Sequence, residues 1–244
     1  MKKYKEALFA VAFVLAAVLL LNLCGAALRP DRRDYGAVWK PYLAEPENSL
    51  DYLYLGSSYA YCDVNPGLVY DSAGLTGYVL AGPEQTFSLT YWYLEEAFKT
   101  QSPDYVLIEG TALHFNRYQD FSQVNVDYMP LSLNRLKATF RSVEPDLRTG
   151  LLFPLYAYHS RWKEFPVSEA VTALAPGRRD EMKGYTAVEG VTQEIGAEPV
   201  MRALEEDPVY LENLADLEAI LALCRRAAGD RVSPHVLPAV PGGA

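Results

Sequence analysis

With 244 residues, half of them hydrophobic and 12% aromatic, the chain has enough apolar material for a substantial core and is not disordered in composition. A formal charge of −9 without any clustered stripe of Lys and Arg excludes a nucleic-acid surface, which needs such a stripe to neutralise phosphates. Cys24, Cys62 and Cys224 lack metal-ligand spacing, which argues against a zinc centre, and nothing in the sequence supports a Cys62–Cys224 disulfide.

Three lysines at positions 2, 3 and 5 precede an apolar run from Ala7 to Leu28. As a helix rising about 1.5 Å per residue, the run covers about 33 Å, enough to cross a hydrocarbon core of about 30 Å. Gly25-Ala26-Ala27 also fits the end of a cleaved signal peptide. The run exceeds an h-region of about 7 to 15 residues, so an uncleaved single-pass anchor over residues 1–28 is expected. The short amino-terminal tail is then expected inside, and the domain outside the cell membrane. Residues 29–49, with Pro30, Gly36, Pro41 and Pro46, read as a juxtamembrane linker. The folded domain is expected over residues 50–228.

Its first element is a strand from Asp51 that runs into Gly56-Ser57-Ser58. In a parallel sheet this turn lies at the carboxyl edge, where open α/β sheets place their ligands. A serine there either caps the next helix or acts as a nucleophile. Asn65-Pro66-Gly67 marks a turn into a short helix, and residues 77–80 form a second strand. Gly82-Pro83-Glu84 predicts a helix with proline at its first position, with Phe87, Tyr91, Leu94 and Phe98 on its core face. Ser102-Pro103 stops it, and residues 105–108 form a third strand. Strand, helix, strand predicts a parallel α/β unit with a right-handed crossover.

From 111 to 206 the alternation lapses into a mostly helical insertion, with helical pieces over 131–142 and around 155–165. Asp207-Pro208 starts a further helix through Leu214, Leu217, Leu221 and Cys224. Residues 229–244 are expected to be an irregular tail, because Pro234, Pro238 and Pro241 argue against a central strand.

Leu53-Tyr54-Leu55-Gly56-Ser57-Ser58, the downstream Asn65-Pro66, the stretch 74–85 and the Tyr-rich helix after it resemble the SGNH/GDSL hydrolase superfamily. The resemblance covers about residues 50–226. It points to the membrane-anchored bacterial cell-envelope branch related to the D-alanyl-lipoteichoic-acid biosynthesis protein. Tyr158-His159-Ser160-Arg161-Trp162 and Lys183-Gly184-Tyr185 are similar to segments of that branch. What it implies is a flavodoxin-like three-layer α/β sandwich and a serine ester hydrolase or acyl transferase. Such a protein acts on envelope polymers, without cofactor or metal, with a membrane acyltransferase as a partner.

By that resemblance Ser58 is the nucleophile, its own backbone N–H also serving the oxyanion. Gly82 is a second oxyanion donor, although it reads equally as a turn glycine before Pro83. There are departures. Ser57 stands where many relatives carry aspartate, Val79 where they carry asparagine, and Glu109-Gly110-Thr111 replaces a Gly-x-Asn block. Glu109 either faces the site or is an ordinary solvated or hydrogen-bonded carboxylate. Relatives supply the base as Asp-x-x-His near the carboxyl terminus, and this pattern occurs nowhere here. His114, His159 and His235 read as packing, hydrogen-bonding or tail residues. The change from helical leucines to a Pro/Gly-rich end therefore implies a chain truncated relative to that family, with a sheet missing its last strands. The competing function is a non-catalytic, membrane-anchored interaction protein.

Overall fold

A computed structural model describes residues 2–30, 38–163, 167–188, 207–228 and 233–237. The chain divides into two units, one of residues 1–32 with 145–176, the other of residues 33–144 with 177–244.

The second unit is built on a parallel four-stranded sheet of β1 (Tyr52–Leu55), β2 (Gly77–Val79), β3 (Tyr105–Glu109) and β4 (Ser233–Leu237), in the order β2-β1-β3-β4. β1 pairs with β2 through Tyr52 opposite Gly77 and with β3 through Tyr52 opposite Tyr105. All four of its side chains are buried, as a central parallel strand covered on both faces requires. The short helices α3 (Ser58–Asp63) and α4 (Pro66–Ala73) connect β1 to β2. Asn65 caps α4 by accepting from the Gly67 and Leu68 N–H groups at 2.9 and 3.4 Å, and Gly74 ends it in the left-handed conformation. On this face Tyr52 and Tyr54 pack with Ala60, Tyr61 and Val79. The return to β3 runs through α5 (Phe87–Ala97), and α11 (Pro208–Ala228) packs against α5. Right-handed crossovers put these two on the face opposite α3 and α4.

Several boundaries differ from the sequence expectation, each for a local reason. The linker expected over 29–49 contains α2 (Trp39–Tyr42), a packed element. Trp39 meets Tyr93 edge-on at 4.9 Å between ring centres, and the Tyr42 hydroxyl donates to Ala97 O at 3.1 Å. The folded unit thus includes Trp39, well before Leu50. Pro83 does not start α5. Glu84 has φ +47°, and Thr86 caps the helix four residues later than Gly82 by accepting from the Leu89 N–H at 3.3 Å. The expected irregular tail contains β4, which takes the sheet edge next to β3, where proline is tolerated. Residues 229–232 and 238–244 lie outside the described residues.

The helical insertion is divided between the units. α6 (Ser122–Asp127) and α7 (Leu133–Ser142) belong to the α/β unit, joined by a buried Arg135–Asp127 ion pair at 3.0 Å. Residues 177–188 return to the same unit without helix and lie along β2. There the Val79 N–H donates to Lys183 O at 2.8 Å, and the Thr186 N–H to Tyr61 O at 2.7 Å. This segment covers an edge that would otherwise present unpaired backbone groups.

The first unit holds α1 (Lys2–Leu28) with α8 (Arg148–Leu152), α9 (Pro154–Tyr158) and α10 (Val167–Leu174). Within α1, Tyr4–Leu28 contains an 18-residue stretch with a mean hydropathy of 2.7 and is long and apolar enough to cross a membrane.

Candidate active site

The sheet order fixes where a site can form. β1 leads outward to β2 on one side, and β2 leads back across to β3 on the other, so the connections diverge between the carboxyl ends of β1 and β3. This is the switch point at which open α/β sheets form their crevice. Gly56-Ser57-Ser58 closes one side of it and Glu109 the other.

Ser57 and Glu109 are fully buried and bonded to each other. The Ser57 hydroxyl donates to Glu109 Oε2 at 2.7 Å, and the Ser57 N–H donates to the same oxygen at 3.2 Å. Glu109 Oε1 accepts from the Thr111 N–H. A buried carboxylate is tolerated only when its lone pairs are met in this way. Gly56 allows the approach, because a Cβ there would collide with Glu109 Cβ. Ser57 therefore does not cap α3, although it occupies the cap position. Glu109, of the two readings open to it, is the hydrogen-bonded one.

Ser58 is the first residue of α3 and half-buried. Neither its hydroxyl nor its N–H has a hydrogen-bond partner among the described residues. The two serines, adjacent in sequence, thus differ sharply: Ser57 is committed to Glu109, and Ser58 is available.

Gly82 lies beside this turn, its N–H donated to Gly56 O at 3.2 Å. In this geometry that N–H is already engaged. The Gly82 carbonyl accepts from the Gln85 N–H at 3.2 Å, and its α-carbon faces Asn125 of α6, whose Nδ2 donates to Pro83 O at 2.8 Å. Asn125 is fully buried, and its Oδ1 has no partner. It packs so closely that a Cβ on Gly82 would collide with Oδ1. Asn125 thus reaches Gly82 from α6 with its amide donor committed to Pro83 O, and no local feature of the sequence announces the approach.

Asp63, exposed at the end of α3, has its carboxyl raised from the ordinary value by partial desolvation and by the charge of Glu109. The same two effects push the Tyr54 hydroxyl up. The Cys62 thiol is raised by burial and by Asp63, and all three cysteines are free, so no Cys62–Cys224 disulfide is present.

The histidines face other partners. His114 is exposed on the 3-10 turn Gly110–His114, its ring 6.3 Å from that of Tyr210. His159 belongs to the first unit, and its Nδ1 lies 2.9 Å from Tyr156 O. His235 pairs with Leu107, inside β3 rather than at its carboxyl end, and its ring lies 6.2 Å from that of Tyr105. Asp230 lies outside the described residues. No family model, curated protein or solved structure matches the chain. Among the described residues no group of His, Cys, Asp and Glu could hold a metal ion.

Proposed function

We propose that the chain is an SGNH-type serine ester hydrolase or acyl transferase, with Ser58 as nucleophile, anchored by α1 and acting on cell-envelope polymers outside the membrane. The observation that supports it is the contrast at the switch point. Ser57 is locked to Glu109 at 2.7 Å, whereas the hydroxyl and N–H of Ser58, at the same carboxyl edge of the sheet, have no hydrogen-bond partner among the described residues. The strand order β2-β1-β3-β4 agrees with the flavodoxin-like arrangement this reading requires.

In this mechanism Ser58 Oγ adds to an ester carbonyl, and the alcohol leaves with the proton that Ser58 gives up. Water or a polymer hydroxyl then takes the acyl group and returns a proton to Ser58. In this reading the Ser58 N–H, which has no partner among the described residues, donates to the oxyanion. α3 is only six residues long, so this backbone donor, not a helix dipole, is the relevant group. The reading assigns no base to the described residues.

A second reading, a non-catalytic partner of a membrane acyltransferase, is favoured by the histidines, each of which is turned to another contact. Turnover of an activated aryl ester by the purified full chain separates the two. The enzyme reading expects hydrolysis that Ser58→Ala abolishes; activity equal in the two proteins removes Ser58 from the reaction.

A further inference from the structure

The first unit carries apolar side chains that its own packing leaves uncovered. In α10, Val167, Val171 and Leu174 recur at i, i+4 and i+7, which places them on one helical face. They are 73%, 63% and 55% exposed, although α10 packs against α1. The half-buried positions of α10 are the residues between them, Glu169, Ala170, Thr172 and Ala173. Phe153, Tyr156 and Trp162 are exposed as well.

Their position along α1 decides what meets them. α9 approaches α1 at Gly25, where an added Cβ would stand 2.8 Å from Pro154 Cβ. An open cleft of about 370 Å³ between α1 and the corner of α8 and α9 is lined mainly by Leu21, Leu152, Phe153 and Leu155, with Asn22 and His159 as its polar members. Arg161 donates to Leu28 O at 2.6 Å and to Glu169 at 2.7 Å, so one side chain ties the end of α1 to α10. From Leu21 to Leu28 a helix rises about 10 Å. Amphipathic helices bury their apolar face about 5–10 Å into a bilayer boundary. Trp162 with Arg161 and Lys163 beside it is the composition of such a boundary.

We propose that α9, Trp162 and α10 form a lipid-seated collar around the carboxyl end of α1, with a lipid acyl chain filling the cleft. The proposal rests on reading α1 as a membrane span. Its test uses the full chain with Cys24, Cys62 and Cys224 replaced by alanine, reconstituted in phosphatidylcholine and phosphatidylglycerol vesicles. A bimane is attached singly at Val171→Cys, Tyr156→Cys, Leu15→Cys or Leu68→Cys, and lipids with brominated acyl chains serve as quencher. Leu15 reports on α1 and Leu68, exposed on α4, on the α/β unit.

Fluorescence should be lost at Val171, Tyr156 and Leu15 and retained at Leu68. Loss at Leu15 with none at Val171 and Tyr156 overturns the collar while the span stands. No loss at Leu15, Val171 or Tyr156 overturns the span and the collar together. Val171 shielded both from brominated lipid and from aqueous iodide means that a protein covers the stripe, and this too overturns the proposal.

Discussion

At the residue scale two neighbouring serines differ in their bonding, Ser57 being held by Glu109 and Ser58 having no hydrogen-bond partner among the described residues. Ser57→Ala removes the hydroxyl that Glu109 accepts and should cost about 1–3 kcal/mol of stability, read by chemical denaturation. Ser58→Ala removes an unbonded hydroxyl and should leave stability nearly unchanged. Gly82→Ala forces a methyl group into pinned Asn125 and should destabilise by about 1–3 kcal/mol. In the double variant with Asn125→Ala the total should fall short of the sum of the single effects, because each substitution relieves the other.

Asp63 supplies a pH dependence. Its carboxyl is raised in the folded chain, so its contribution to stability is full below the unfolded value of about 3.9 and is lost as the pH rises through the folded one. Because Asp63 is exposed, solvent screening keeps the effect small, and Asp63→Asn should be only slightly more stable than the parent at neutral pH, with the gap closing below about pH 4; thermal melts across that range read it.

At the scale of elements, the parts legible in the sequence were those written in local chemistry. β1 and β3 are short apolar runs, α7 begins at the capping Ser132, and α11 begins after Asp207 with Pro208 at its first position. The missed elements depend on distant partners. α2 is four residues long among prolines and exists because Trp39 and Tyr42 are buried against Tyr93 and Ala97. β4 contains Pro234 and persists only as an edge strand on β3. The cover of β2 has no strand pattern and relies on Lys183 and Gly184, both at positive φ. Gly184→Ala would drive a methyl group into Val79 O from a left-handed conformation. A loss of at least about 2 kcal/mol is expected in denaturant melts, with new exposure of the β2 edge seen by amide exchange at Val79. The site divides in the same way. The strand-to-helix turn that carries Ser58 was legible from Gly-Ser-Ser after an apolar run, whereas the Ser57–Glu109 bond and the approach of Asn125 required the tertiary fold.

At the scale of the whole molecule, the chain has two units. One carries an apolar helix of membrane length, and the other a parallel sheet with an available serine at its switch point. The insertion between β3 and α11 serves both, since α6 brings Asn125 to Gly82 while α9 and α10 pack on α1. If Ser58 is the nucleophile, as proposed, it and not Ser57 is the hydroxyl that a serine-directed reagent modifies. Mass-spectrometric mapping of a fluorophosphonate adduct on the full-length protein tests it most directly. The adduct should sit on Ser58, vanish in Ser58→Ala and persist in folded Ser57→Ala. An adduct on Ser57, or labelling undiminished in Ser58→Ala, would contradict the account.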